Sequence, residues 1–182
     1  QSATKFAWVL GNVPGARARA DAGRLRFGTI DTWLTWQLSG GASYVTDDSN
    51  ASCTGVYDFV TGRWDEALLE SLQLPVASFP TIVSTSAVVG STAQDLLGAP
   101  IPLAARAGDQ QAAMFGQLRV EPGMMKITYG TAAMMDLNVG PSLRLSPHGC
   151  FPLVLWGLGG ERTYCLEGSA VTVGAAIQWL RD

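Results

Sequence analysis

Apolar and polar residues follow two different periods along the chain, and the change between them falls near residue 117. Before that point most of the predicted elements are helices, in which apolar residues recur every three or four positions. Residues 2–25 predict two helices, with Ser2 as the cap of the first and Pro14 at the entry of the second. The breaker Asn12–Gly15 separates them.

A third helix is predicted within residues 27–41. Asp31 is its expected N-cap, and Gly40 and Gly41 are expected to end it. Its apolar face is expected to consist of Trp33, Leu34, Trp36 and Leu38. A further helix is predicted from about Trp64 to Leu72 and is closed by Pro75.

Short strands with turns are expected over residues 81–98 and 101–107, and strands dominate after residue 117. Two strand-like runs flank the turn at Tyr129–Thr131, and two more meet at the Gly-Gly pair within residues 150–168. A final helix follows over residues 169–182. This order predicts an α/β protein with a domain boundary at about Gln117.

Composition and charge indicate which kinds of binding partner to expect. The chain has 182 residues, 47% of them hydrophobic and 15% charged, which predicts a substantial core. The net charge is −3 and the basic residues are scattered, so no basic stripe for nucleic acid is present. No apolar run is long enough to predict a membrane span. Three cysteines at long spacings and a single histidine, His148, predict free thiols in a cytoplasmic protein and no zinc site.

Asp109 follows a glycine at the head of an apolar-rich segment. A helix N-cap is the ordinary interpretation, because the carboxylate would accept backbone N–H bonds there. The alternative is a general base that orients a hydroxyl group and receives its proton late in a phosphoryl transfer. In that case Gln110 would offer its amide to the same polar ligand; alone, it is an ordinary solvated residue.

Two other segments have both a structural and a chemical interpretation. Gly130 and Thr131 form either a plain hairpin turn or a turn whose N–H groups and hydroxyl hold a phosphate. Gly174 and Gln178 share one face of the last helix, where a glycine indicates close packing or the approach of a nucleotide. Neither a P-loop nor a dinucleotide-binding motif is present in the sequence.

Five motifs in a fixed order carry a family resemblance. They are "FGTIDTWLTWQLSGG", "TDDSNAS", "AGDQQAAMFGQL", "ITYGTA" and "LEGSAVTVGAAIQWLRD". In this order they resemble the glycerol kinase branch of the FGGY family of carbohydrate kinases, and the resemblance extends over essentially the whole chain. It implies a ribonuclease H-like (actin-like ATPase) fold, with parts of two domains and the active-site cleft between them. It also implies ATP and Mg²⁺ as cofactors and phosphorylation of glycerol to sn-glycerol 3-phosphate.

The resemblance also assigns roles to individual residues. Asp109 matches the catalytic base and would contact Mg²⁺ through water. Gln110 matches a glycerol-binding residue, and Met134 stands where the family has an aromatic residue beside the glycerol carbons. The positions that match nucleotide-binding residues are Gly130, Thr131, Gly174 and Gln178.

Four positions depart from the family pattern. Met134 is less rigid than an aromatic residue and would admit a different polyol. Asp136 stands where an apolar strand residue is usual, and we expect it at a strand end exposed to water. Cys53 stands where arginine is typical, so the role of that arginine is absent. Asp48 stands where tyrosine is common.

The resemblance predicts a division into residues 1–117, the later part of the first kinase domain, and residues 118–182, the early part of the second. The family's first phosphate-binding loop and its Arg-Glu pair for glycerol do not occur in the sequence, so we expect a central segment that is inactive alone. The expected partners are small molecules and further subunits of a homo-oligomer, with no nucleic acid or membrane. Two alternatives remain open: a kinase for another small polyol or sugar, and a non-catalytic actin-like binding module.

Overall fold

The structure is a computed structural model and describes residues 2–182. Its first part is rich in helices and its second part in strands. The helices are α1 (Ser2–Asn12), α2 (Ala16–Asp21), α3 (Ile30–Leu38), α4 (Asp48–Ser52), α5 (Glu66–Ser71), α6 (Gln94–Leu97), α7 (Asp109–Gly116) and α8 (Gly174–Arg181). The strands are β1 (Val45–Asp47), β2 (Tyr57–Asp58), β3 (Arg63–Trp64), β4 (Thr81–Val83), β5 (Met125–Tyr129), β6 (Ala133–Gly140), β7 (Phe151–Leu158) and β8 (Glu161–Ala170).

The first two helices form as predicted, with small differences at their ends. Ser2 lies within α1 instead of capping it from outside. Gly15, with φ of 76°, caps α2 in the left-handed region that suits glycine, and Pro14 precedes that cap. Their apolar side chains join one core cluster, in which the Phe6 and Phe27 rings stack 4.5 Å apart.

Helix α3 corrects two expectations. Its N-cap is Thr29, and Asp31 lies in the first turn, where its carboxylate accepts hydrogen bonds from the hydroxyls of Thr29 and Thr46. The buried face carries Thr32 and Thr35, whereas the Trp33 and Leu34 side chains predicted to be buried are exposed. Helix α3 contacts β1, and its buried positions are occupied by these small threonine side chains. Gly40 and Gly41 end the helix with φ of 62° and 86°, as predicted.

Two further expectations from the first part need correction. The predicted helix from Trp64 to Leu72 begins later, because Trp64 pairs with Tyr57 and Asp65 caps the helix by accepting the Leu68 N–H at 2.9 Å. Residues 81–107 contain β4 and α6, and otherwise only isolated bridges in place of the predicted strands. Strand β4 pairs in parallel with β1.

The second part is a four-stranded antiparallel sheet with the strand order β5-β6-β8-β7. The predicted turn at Gly159 and Gly160 joins β7 to β8, and both glycines have the positive φ that a tight hairpin needs. Direct pairs across three strands place Lys126 opposite Asp136, and Asp136 opposite Glu167. Directly paired residues project from one face of a sheet, so these three side chains share a face.

Strand β7 joins the sheet to the first part. The Val154 N–H donates to Ser52 Oγ at 3.1 Å, and the Gly157 N–H donates to Thr85 Oγ1 at 3.0 Å. Met114 of α7 is fully buried in a cluster with apolar side chains of β7 and β8. Helix α7 therefore has a fixed position against the sheet, which places its N-terminus beside the sheet's polar face. In residues 2–182, no helix has the length and apolarity that crossing a membrane requires.

Candidate active site

Asp109 lies at the N-terminus of α7, one position further along than an N-cap. Gly108 occupies the cap position with an extended backbone, and Asp109 is the first helical residue. Its Oδ1 accepts the Gln110 N–H at 2.9 Å, and its side chain is exposed. The prediction that Asp109 is the N-cap is therefore wrong by one position. Its carboxylate does lie at the positive end of the helix dipole.

The turn before Asp109 is held by a buried polar network at the start of α4. The Gly108 N–H donates to Ser49 Oγ at 2.9 Å. The Ser49 hydroxyl in turn donates to Asp47, which is fully buried and also accepts the Thr85 hydroxyl at 2.6 Å. Because every link is a hydrogen bond inside the protein, the network fixes the backbone that presents Asp109.

Gln110 is directed towards strand β5. Its Oε1 accepts a hydrogen bond from the Thr128 hydroxyl at 2.9 Å and another from the Lys126 ammonium group. Lys126 Nζ also lies 2.7 Å from Thr128 Oγ1. The side-chain amide of Gln110 is thus held on the sheet, while its backbone lies next to Asp109 in the first turn of α7.

Asp136 corrects a further expectation, because it is 1% exposed and lies in the middle of β6, not at a wet strand end. Its Oδ2 lies 3.0 Å from Lys126 Nζ, whose side chain is 2% exposed. Such a carboxylate is tolerated inside the protein because an ammonium group accompanies it.

Glu167 lies on β8 directly opposite Asp136. The pKa of Glu167 is raised to about 7, chiefly by burial and then by the neighbouring Asp136, while Lys126 opposes the shift. Asp109 also contributes a repulsive charge to Glu167, which places the catalytic candidate and this carboxyl group in one electrostatic environment.

Met134 lies on the same sheet face as Lys126 and Thr128, the two residues that hold the Gln110 amide. It pairs directly with Thr128 on one side and with Ser169 on the other, and it is partly exposed. Its flexible thioether is therefore available beside the polar groups of α7.

The turn after β5 and the start of α8 come into direct contact. The Gly174 N–H donates to the Gly130 carbonyl at 3.0 Å, and the Val173 N–H donates to the Thr131 carbonyl at 2.9 Å. A Cβ on Gly174 would lie 2.4 Å from that Gly130 oxygen, so close backbone approach explains the helical glycine. Thr131 and Gln178 are exposed, and Gln178 lies one turn along α8 from Gly174.

The structure thus groups the predicted residues in two places. Asp109, Gln110 and Met134 lie together at the α7 N-terminus and the adjoining sheet face. Gly130, Thr131 and Gly174 meet at the turn that ends β5. The Gly130 N–H is used within its own turn, where it donates to the Ala132 carbonyl at 2.8 Å.

Sequence reasoning missed the supporting residues Ser49, Lys126 and Glu167. A signal for Lys126 was available, since it is a charged residue inside an otherwise apolar strand run. The partners of Lys126 could not be read from this signal because they lie on other strands.

The other unusual positions are also accounted for. Asp48, which stands where tyrosine is common, accepts the Tyr57 hydroxyl at 2.6 Å and pairs with Arg162 at 2.9 Å. Cys53 is a free thiol that contacts the Gln111 amide at 3.9 Å and does not replace the charge of an arginine.

Comparison with known proteins decides the family. The profile of the N-terminal domain of the FGGY family of carbohydrate kinases matches residues 1–116. The chain belongs to the FGGY family.

Individual FGGY relatives are similar over the whole chain. It is 52% identical over 182 residues to the glycerol kinase of Desulforamulus reducens and 49% identical over 181 residues to that of Petrotoga mobilis. Each alignment covers 100% of this chain and 36% of the relative, so the chain spans about a third of the curated relatives' length.

Solved FGGY structures give the same result for the fold. The crystal structure of Plasmodium falciparum glycerol kinase with ADP aligns with a TM-score of 0.92 and 31% identity, covering 98% of this chain and 36% of that one. Xylulose kinase from Rhodospirillum rubrum aligns with a TM-score of 0.82 at 21% identity, which supports the fold alone. The predicted family and the predicted actin-like ATPase (ribonuclease H-like) fold class are confirmed.

Proposed function

We propose that this chain serves in a glycerol kinase, which transfers the γ-phosphoryl group of ATP to a terminal hydroxyl of glycerol and yields sn-glycerol 3-phosphate. The observation that carries the proposal is the pairing at the α7 N-terminus. An exposed carboxylate on a rigidly held turn lies next to an amide that the sheet anchors. The similarity to glycerol kinases, which are about half identical to this chain over its full length, supports glycerol as the substrate.

Asp109 is the general base in this proposal. Its carboxylate accepts the proton of the glycerol hydroxyl as that oxygen bonds to the γ-phosphorus. The bond from phosphorus to the β,γ-bridging oxygen breaks, and ADP leaves with that electron pair. The N-terminus of α7 favours a negative charge at this position, which suits a carboxylate base.

Gly130, Thr131, Gly174 and Gln178 are the proposed nucleotide contacts. They fit that role because the exposed Thr131 hydroxyl is accessible and the α8 N-terminus, which is favourable for phosphate, lies against the same turn. Mg²⁺ would neutralise charge on the transferred phosphate. Asp109 fits an indirect, water-mediated contact to that ion because its carboxylate is exposed, whereas His, Cys, Asp and Glu residues within 2–182 form no cluster suited to direct metal ligation.

We further propose that residues 1–117 and 118–182 belong to two kinase domains with the active-site cleft between them. The change from short helices to the four-stranded sheet supports this division. Because the chain spans a third of its relatives, a full site would need segments beyond those seen here, and the chain alone would be inactive. A cytoplasmic homo-oligomer is the proposed setting, and the three free thiols are in keeping with a reducing compartment.

The test uses a completed protein, in which this chain replaces the matching third of the Desulforamulus reducens glycerol kinase. ADP release with Mg-ATP and glycerol is measured for the completed protein, for its Asp109→Asn variant and for the unmodified relative. Loss of the base should lower kcat by about 10²- to 10⁴-fold. The Asp95→Asn variant, on exposed helix α6, is the matched control and should keep wild-type turnover.

A second candidate function is a kinase for another small polyol or sugar, and Met134 is the observation that favours it. Activity of the completed protein on such a substrate, with none on glycerol, would replace glycerol in the proposal. A folded completed protein that binds ATP and phosphorylates no polyol would contradict both candidates and support a binding module.

A further inference from the structure

The side-chain oxygen of Gln110 is occupied from the side of the sheet. Thr128 donates its single hydroxyl hydrogen to Gln110 Oε1, while Lys126 donates both to that oxygen and to Thr128 Oγ1. These three hydrogen bonds link the side chains of Gln110, Lys126 and Thr128 in a closed ring.

The ring fixes which way the carboxamide points. An ammonium group carries only hydrogen-bond donors, so it can face the oxygen of an amide and cannot face the NH₂ group. Gln110 Oε1 therefore points at Lys126, and the Nε2 hydrogens point away from the sheet face. An amide without such a partner could turn over and present either atom.

Lys126 is itself held on the sheet. Its Nζ lies 3.0 Å from Asp136 Oδ2, and the two side chains are 2% and 1% exposed. Glu167 faces the pair from the next strand. A buried ammonium group paired with the Asp136 carboxylate has few alternative positions, so its hydrogen bond to Gln110 is both directed and charge-assisted.

We propose that Lys126 is a positioning residue of the polyol site, which orients Gln110 so that its NH₂ group meets a substrate hydroxyl oxygen. The inference rests on the function proposed above and extends it to a residue outside the α7 motif. Asp109 then accepts a hydrogen bond and Gln110 donates one. This neighbouring acceptor and donor suit two adjacent hydroxyls of a polyol.

The principal experiment uses the completed protein with Lys126→Met and Asp136→Leu together. Replacing both members of the pair avoids leaving the Asp136 carboxylate buried without its ammonium group. Gln110 contacts the substrate before and during the reaction, so a disordered amide should raise KM for glycerol about five- to tenfold, with kcat changed less than about twofold. KM for ATP should stay at its wild-type value.

Two matched variants accompany it. Lys126→Arg keeps a charged donor and should recover most of the glycerol affinity. Lys5→Met removes the only other lysine, which lies exposed on α1, and should leave KM unchanged. A folded double variant with wild-type KM for glycerol would overturn the inference.

If the double variant fails to fold, a substitution of Gln110 itself tests whether its NH₂ group contacts the substrate. Gln110→Glu keeps the size of the side chain and an acceptor for Lys126, but it has no N–H to donate. A raised KM for glycerol shows that the Gln110 NH₂ group meets the substrate, as the inference requires, and an unchanged KM overturns the inference. Absence of turnover in the completed protein before any substitution would instead contradict the proposed function.

Discussion

Glu167 shows at the scale of one residue how the fold changes the chemistry of a carboxyl group. Burial, followed by the charge of Asp136, raises its pKa to about 7 from an ordinary value of 4.5. The folded state therefore holds this proton more tightly than the unfolded chain does. The stabilisation is complete below about pH 4.5 and is lost as the pH rises through about 7.

Glu167→Gln should remove this part of the pH dependence. The thermal midpoint of the variant should rise relative to that of the wild type as the pH goes from about 5 to about 8. Thermal melts of the completed protein at both pH values measure the difference. Glu161→Gln, at the exposed start of β8, is the control. Parallel pH profiles for Glu167→Gln and the wild type would contradict the role given to this carboxyl group.

At the scale of elements, the contact between α8 and the Gly130–Thr131 turn depends on one glycine. Gly174→Ala would place a Cβ 2.4 Å from the Gly130 oxygen, which is a backbone atom and cannot move alone. The helix must then shift, so we expect a loss of about 1–3 kcal/mol in the free energy of unfolding. KM for ATP should also rise, since the turn and the helix are the proposed nucleotide contacts.

Gly116→Ala is the matched control for this prediction. A Cβ there meets no atom within 4 Å, and Gly116 likewise lies in a helix. Alanine should be neutral or stabilise the protein by about 0.4–1 kcal/mol. The free energy of unfolding, from denaturant titration, and KM for ATP are measured for both variants. Equal changes in Gly174→Ala and Gly116→Ala would show that the close backbone approach at Gly174 is unimportant.

At the scale of the whole molecule, large apolar side chains remain exposed on several helices, among them α3 and α8. On α3 these include Ile30 and Trp33, at 75% and 58% exposure. On α8 they include Ile177, Trp179 and Leu180, at 64% to 77% exposure. Apolar surface of this kind normally contacts another surface, so the isolated 182-residue chain should self-associate.

Sedimentation velocity over a range of concentrations tests this expectation. The weight-average mass of the isolated chain should increase with concentration, and Trp179→Glu should reduce the increase. The completed protein, with the relative's segments present, serves as the comparison. A monomeric chain with one sharp and reversible melting transition would contradict the prediction.

The sequence by itself determined the features that depend on local chemistry. Glycines with positive φ ended α3 and closed the β7–β8 hairpin where they were predicted. The period of apolar residues located the four strands of the second part and the last helix, although the helix begins at Gly174 and the first two residues predicted for it, Ser169 and Ala170, belong to β8. The ordered motifs identified the family, because each of them is a contiguous stretch whose residues can be compared directly.

Only the tertiary structure decided which surfaces meet. The apolar residues of α3 suggested one buried face, but in the folded chain Thr32 and Thr35 are buried while Trp33 and Leu34 are exposed. Asp136 was expected in water and lies buried beside Lys126, because strand register brings together residues that are distant in sequence. The orientation of Gln110 likewise depends on groups from α7 and β5, and local patterns carry no information about such pairings.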